Sequence, residues 1–407
     1  MNFRPAIGAL ALAAGVGLPS CSLPSPEVEA ARVGRAVAVV ETPPPSSWPK
    51  RLRATTIPYE VKRGDPPTDL GVYARCHVMQ MGGKSPEPLL FFASRTSEPL
   101  YEPKGHLKVS LTADDNATRF VVRDHRITLV ELERAAVAPA RGTIIYLASI
   151  MGLPPREQEF LDGLREAGWN VAACLPSLDL FYREGWPHVI GEDGFEATAR
   201  DLAQRIDGHI AERAYAVEAL LAYLKEKQPS WLRGPRVVIG SSAGALSLPA
   251  VVGRIGPVDA AVLIGGGAHL PRIMMDSWLE IYRPELFERE EAGTPDRPEG
   301  VVSHRSRPLS QEERWRLQEL AFRKTRLDPA HLGGVLNRTP TLTLNARFDR
   351  IVPAATAELL HEALDQPERW TYPVGHVMLF LGPVSYTHLT LPTIQHWCSG
   401  RGGGGQC

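Results

Sequence analysis

Neither sign of charge dominates this sequence. Lys and Arg number 45, Asp and Glu 46, and the formal net charge is −1. Without a basic excess there is no general drive toward a phosphate backbone, and no nucleic-acid partner is expected. Long hydrophobic runs are missing beyond the N-terminus. No later stretch reaches the ~18 apolar residues of a membrane-spanning helix, which excludes a multi-span membrane protein. Cysteine is scarce, with 5 in 407 residues: Cys21, Cys76, Cys174, Cys398 and Cys407. None of them forms Cys-x-x-Cys or a Cys/His group with zinc spacing, so a zinc site has no support. No internal repeat is visible. Gly265-Gly266-Gly267 is not a Gly-x-Gly-x-x-Gly fingerprint and reads as relief of crowding at a strand end. What is abundant is turn-forming chemistry, with 36 Gly and 36 Pro, against an apolar fraction of 43% and a charged fraction of 22%. That balance describes a globular chain with many turns and some linker.

Both ends stand apart from the fold. A weakly charged start with Arg4 precedes the apolar run Ala6–Leu18, the pattern of an export signal over residues 1–20. Leu18-Pro19-Ser20-Cys21 resembles a bacterial lipobox, with Pro19 departing from the commonest form. The resemblance implies that Cys21 is lipidated and anchors the mature chain in the cell-envelope membrane. An ordinary secretory signal, giving a periplasmic or secreted protein, is the alternative. Residues 21–49 then hold the anchor and a Pro-punctuated linker. At the other end, Ser385–Ile394 resembles a translated sequencing-adapter read, and the Gly-rich tail after it has no periodicity. Residues 385–407 are therefore expected to be a non-native tail that has displaced a native C-terminal helix. Setting aside Cys21, Cys398 and Cys407 leaves Cys76 and Cys174, as a disulfide of an exported protein or as two buried thiols.

From residue 128 onward strand and helix signals alternate. Short apolar, β-branched runs at Ile127–Leu132, Gly142–Leu147, Trp169–Leu175, Arg236–Gly240, Asp259–Ile264, Thr339–Asn345 and Trp370–Val374 predict strands. Glu157–Ala167, about 196–226 and Ala354–Leu364 carry helical spacing. This order predicts an α/β fold: a mostly parallel sheet with helices on both faces. Two segments interrupt it. Residues 50–127 hold strand candidates such as Leu89–Phe92 and Arg119–Arg123, and predict a small β-rich extension packed on the sheet. Residues 271–335 are charged and Pro-interrupted, with one helix announced by the capping box Ser310-x-x-Glu313. They read as an insertion placed to act as a lid or as a surface loop, with 285–325 its solvated face.

Gly240-Ser241-Ser242-Ala243-Gly244 is a G-x-S-x-G. Alone the pattern is weak. Here it follows a strand and opens a helix-compatible segment, the setting in which a tight turn lifts the central hydroxyl above the sheet. Ser241 points elsewhere. A serine hydroxyl needs a base, and the base needs an orienting acid. Asp349 follows the strand around Leu342–Leu344, and Gly375-His376 follows the last strand, in the order serine, acid, histidine. Asp276 is an alternative acid, and His269 and Glu192 are weaker candidates to line a pocket.

Through Gly142–Leu147 and its following loop, the elbow at Ser242, Asp349-Arg-Ile-Val-Pro353 and Gly375-His376, residues 128–384 resemble an α/β-hydrolase. The resemblance implies Ser242 as nucleophile, His376 as general base and acid, and Asp349 as its orienter. It implies an oxyanion hole from the backbone N–H of Ala243 and a second donor after the Gly142–Leu147 strand. Relatives often carry His-Gly there. This chain has Ala148-Ser149, and Ser149 or Ile150 is the expected donor. No metal or organic cofactor is required. The expected substrate is a small ester or thioester, with a small amide or peptide next. A catalytically silent envelope scaffold on the same fold, and cofactor-free lyase or peroxidase chemistry, remain alternatives.

Overall fold

The computed structural model describes residues 126–175, 186–291 and 301–381, and four upstream strands at 36–39, 57–61, 74–81 and 89–96. Cys21, the export signal, the strand candidate at 119–123 and the tail 385–407 lie outside the described residues. Strands β1 (Ala36–Val39), β2 (Ile57–Val61), β3 (Ala74–Met81), β4 (Leu89–Thr96) and β5 (Arg126–Glu133) form an antiparallel series. The alternation then begins with β6 (Gly142–Leu147), α1 (Pro155–Glu166), β7 (Trp169–Leu175), the short β8 (Val189–Ile190) and α2 (Phe195–Lys227). It continues with β9 (Arg236–Ser241), α3 (Ala243–Ile255), β10 (Ala260–Ile264) and α4 (Leu270–Asp276). An insertion carries β11 (Glu285–Glu291), β12 (Val301–Pro308), α5 (Gln311–Lys324) and the single turn α6 (Pro329–Leu332). The chain ends its described part with β13 (Thr341–Ala346), α7 (Ala354–Ala363), β14 (Glu368–Tyr372) and α8 (His376–Leu381).

The main sheet has the order β1-β2-β3-β4-β5-β7-β6-β9-β10-β13-β14. β5 joins β7 antiparallel, and every pair from β7 to β14 is parallel. From β6 the chain steps outward to β7, crosses through α2, and steps the other way through β9, β10, β13 and β14. The strand order reverses between β6 and β9. The carboxyl ends of such a pair form the crevice in which open α/β sheets hold their ligands.

All six residues of β6 are buried, as a strand covered on both faces requires. Successive residues feed opposite layers. Ile145, Leu147, Val238, Ala261 and Leu263 pack in the core that includes α2 and α3. Ile144, Tyr146, Val237, Ile239, Val262 and Ile264 pack on the other face with Phe160, Leu161 and Leu164 of α1 and Leu379 of α8. Each fully buried Leu, Ile or Val is worth about 1.5–3 kcal/mol relative to exposure. These two layers hold the sheet edge that carries the site.

The structure differs from the sequence reading in three places. The N-terminal strands do not lie on the sheet but extend it edge to edge, and β5 starts at Arg126, so the boundary at 127/128 cuts a strand. β1 falls inside the stretch read as linker. The insertion holds more than one helix: β11 and β12 pair with β8 in a second sheet of three strands, and α5 packs on α2 and α4. The capping box of α5 forms in both directions between Ser310 and Glu313. Among the described residues no helix is long and apolar enough to cross a membrane.

Candidate active site

β9 turns into α3 with no intervening loop, and the residue at the corner is Ser242. Its backbone sits at φ 49° and ψ −111°, a conformation that costs a non-glycine residue about 1–3 kcal/mol and is kept only when the surroundings enforce it. The enforcement is visible. The Ser242 N–H donates to the Ile264 carbonyl at 2.8 Å, tying the corner to β10. A β-carbon at Gly240 would stand 2.7 Å from the Ala245 nitrogen, and one at Gly244 would overlap the Leu147 carbonyl oxygen. Only glycine fits at either position.

Asp349 lies in the turn after β13. Its Oδ1 accepts the N–H groups of Ile351 at 2.8 Å and Val352 at 2.7 Å, which fixes the carboxylate plane. Its Oδ2 meets Nδ1 of His376 at 2.6 Å. His376 is the first residue of α8, and its Nε2 meets Oγ of Ser242 at 2.9 Å. The three side chains named from the sequence thus form one continuous hydrogen-bonded array. With Asp349 accepting, Nδ1 carries the proton and Nε2 presents a lone pair to the serine hydroxyl. The imidazole is buried and packs edge-on against Phe380 at 5.2 Å. Gly265, at φ 62°, passes beneath it, where a β-carbon would lie 3.0 Å from Cε1. That is the physical demand behind the first of the three consecutive glycines.

The loop after β6 is closed by its own bonds. The Ala148 N–H donates to the Cys174 carbonyl and the Gly152 N–H to the Ser149 carbonyl. The Met151 N–H donates to Oγ of Ser149. Ser149 also pairs with Gly152 in an isolated antiparallel bridge, which turns its N–H toward the Gly152 carbonyl and leaves the Ile150 N–H as the better candidate of the two for a second donor. Ala243 opens α3, so its N–H is one of the unpaired donors of a helix start, at the positive end of the dipole. The Leu147↔Gly240 pairing of β6 with β9 sets this loop beside the elbow.

The weaker candidates lie elsewhere. Asp276 accepts from the Gln318 side chain at 2.8 Å and faces Arg272 rather than His376. His269 stacks on Phe322 at 4.2 Å, with Nε2 against Glu319 at 3.1 Å. Glu192 sits on the surface near Arg307. Cys174 is a buried free thiol, pushed up to about 12 by burial, which makes it inert rather than reactive. No three His, Cys, Asp or Glu side chains gather as metal ligands among the described residues.

Two features were not anticipated. Met151, Phe348, Val377 and Met378 are exposed apolar side chains flanking Ile150, Asp349 and His376, and the exposed Trp278 joins them through its N–H bond to the Arg350 carbonyl. Single surface apolar residues are common, but these adjoin one site. Behind the elbow, Glu157, Tyr146 and Ser241 form a buried polar group. No local motif marks either feature.

No protein-family model matches the chain, and no curated protein sequence matches it. Solved structures similar to it include Est1E from Butyrivibrio proteoclasticus, at 14% identity and a TM-score of 0.39, covering 64% of this chain and 90% of that one. The Pyrococcus furiosus esterase Pf2001 aligns at 12% identity and a TM-score of 0.37, over 80% of this chain and 93% of its own. The esterase domain of a Rhodothermus marinus protein aligns at 16% identity and a TM-score of 0.36, over 64% and 87%.

Proposed function

We propose that this chain, whose fold is that of the α/β-hydrolases, is a serine hydrolase acting on small carboxylic esters or thioesters. The observation that carries the reading is the unbroken Asp349–His376–Ser242 array on a strained elbow at the sheet's switch point. Ser242 attacks the substrate carbonyl carbon while Nε2 of His376 takes its proton. Asp349 stabilises the resulting imidazolium and holds its orientation. The tetrahedral oxyanion is met by the N–H of Ala243 and by that of Ser149 or Ile150. His376 then returns the proton to the departing alcohol or thiol, and water, activated by the same imidazole, clears the acyl group.

The exposed apolar side chains around the array support an ester with an apolar acyl or alcohol part. Hydrolysis rates with p-nitrophenyl esters of graded chain length test the reading, beside Ser242→Ala. The expected result is turnover that the variant loses by at least ~10³-fold. Background rates from a folded wild-type protein would overturn it and favour the silent scaffold.

Export and anchoring through Cys21 are proposed on sequence grounds, from the apolar run Ala6–Leu18 and the Leu18–Cys21 segment. Incorporation of an alkyne fatty acid in a bacterial host, lost in Cys21→Ser, is the expected outcome. A soluble, unlabelled product would contradict it.

A further inference from the structure

Beside the acid arm of the array lies a cleft of about 660 Å³, within the size range of small-molecule sites. It is framed by the end of α4, the turn after it and the start of α5. Met275, Trp278 and Leu279 supply its apolar lining, and Asp276, Glu280 and Arg314 its charges. The Trp278 N–H donates to the Arg350 carbonyl at 2.8 Å, and Arg350 follows Asp349 directly. Standard backbone dimensions then put the Trp278 and Asp349 Cα atoms within about 11 Å of each other. Asp349 follows β13 and α4 follows β10, so the cleft belongs to the same carboxyl edge of the sheet as Ser242.

Two of the three lining charges are already engaged. Asp276 accepts from the Gln318 side chain at 2.8 Å and faces Arg272 at 3.5 Å. Glu280 pairs with Arg283. Arg314 is different. It is half-buried, and its guanidinium meets no acceptor or carboxylate among the described residues. Its own helix does not account for it either. Arg314 is the fourth residue of α5, near the positive end of the helix dipole, where acidic side chains such as Glu312 and Glu313 are favoured and a cation is not. The positions three and four residues away hold Ser310, Gln311, Leu317 and Gln318, none of them a carboxylate. A guanidinium presents five donors in a flat fork that matches a carboxylate. Next to it, the exposed indole of Trp278 offers a flat apolar wall.

We infer that this cleft is a subsite for a carboxylate carried by the substrate. Arg314 takes the carboxylate, and Trp278, Met275 and Leu279 cover the apolar body between it and the ester bond. The inference rests on the serine-hydrolase reading above and narrows it to esters that bear an acid group on their acyl or alcohol part.

The test compares matched esters with the full chain and its Arg314→Gln variant, with circular dichroism of both. Arg314 has no bonding partner among the described residues, so the variant is expected to fold. On the acyl side the pair is p-nitrophenyl hexanoate and mono-p-nitrophenyl adipate. On the alcohol side it is p-methoxycarbonylphenyl butyrate and p-carboxyphenyl butyrate. The wild type is expected to prefer the anionic member of one pair by at least about tenfold in kcat/KM, mainly through KM, and that pair identifies the side. Arg314→Gln should lose most of the preference, and Arg314→Lys, which keeps the charge without the fork, should retain part of it. No anionic preference in either pair, or one that persists in Arg314→Gln, would overturn the inference. Binding of hydrocinnamate followed by calorimetry needs no turnover, and should weaken at least about fivefold in Arg314→Gln. A wild type that hydrolyses none of the four esters but shows this difference loses the hydrolase reading and keeps the subsite. Equal binding by the two proteins would overturn the subsite.

Discussion

Gly244 lies against the carbonyl of Leu147 so closely that any β-carbon at 244 would overlap the oxygen. The contact joins the first turn of α3 to the end of β6, just before the loop that carries Ser149 and Ile150. The spacing between Ser242 and the loop after β6 is therefore set by the absence of one methyl group.

Gly244→Ala is expected to push the elbow away from β6. The overlap is with backbone, which cannot swing aside, so overpacking of about 1–3 kcal/mol is the expected stability cost. Ester hydrolysis should fall by at least ~10²-fold, since the Ala243 N–H moves with the helix. Calorimetry and initial rates check the two halves separately. A variant with full activity would show that this contact does not set the site.

Asp349→Asn separates charge from shape. An Asn oxygen can still accept the Ile351 and Val352 N–H groups, so the turn should hold and thermal stability should change little. The amide NH2 would then face Nδ1 of His376 and favour the tautomer with the proton on Nε2, which cannot accept from Ser242. The expected loss in kcat is about 10⁴-fold, the scale set by the same change in a well-studied triad. Retention of most activity would mean that Asp349 does not orient the histidine.

Asp207 gives a stability prediction with a definite sign. It is buried on α2, and its carboxylate accepts the N–H groups of Arg326 at 2.8 Å and Leu327 at 3.0 Å. Burial pushes it up to about 7 from 3.8, and the nearby buried Asp328 pushes the same way. The folded protein thus holds a proton that the unfolded chain has released. Stability should fall as pH rises from about 4 toward about 7, by at most ~1.4 kcal/mol per unit, and level off above. In Asp207→Asn this component of the slope should vanish. Urea melts of both proteins across that range measure it, and equal slopes would contradict the assignment.

The alternating strands and helices were legible because short, mostly apolar, β-branched runs such as Gly142–Leu147 are bounded by turn residues. The order of Ser242, Asp349 and His376 was legible because each follows a strand at the same sheet edge. What surrounds them was not. β11 reads Glu-Leu-Phe-Glu-Arg-Glu-Glu, a charged run that looks like a solvated face, because its pairing with β12 and β8 is a matter of backbone and not of apolar pattern. Nothing local marks Glu157 beyond its place at the start of the helical stretch Glu157–Ala167. Its partner Ser241 is 84 residues away, and only the parallel pairing of β6 with β9 brings the two together. The extension of the sheet by β1–β4 was hidden for the same reason: alternation predicts strands but not which edge they join.

The central claim is that Ser242 is an activated nucleophile. Labelling of the full chain by a fluorophosphonate probe, beside Ser242→Ala and with circular dichroism of both, tests it most directly. The account predicts covalent labelling of the wild type that disappears in Ser242→Ala while the fold is unchanged. A folded wild-type protein that takes no label, or a Ser242→Ala variant that labels equally well, would contradict it.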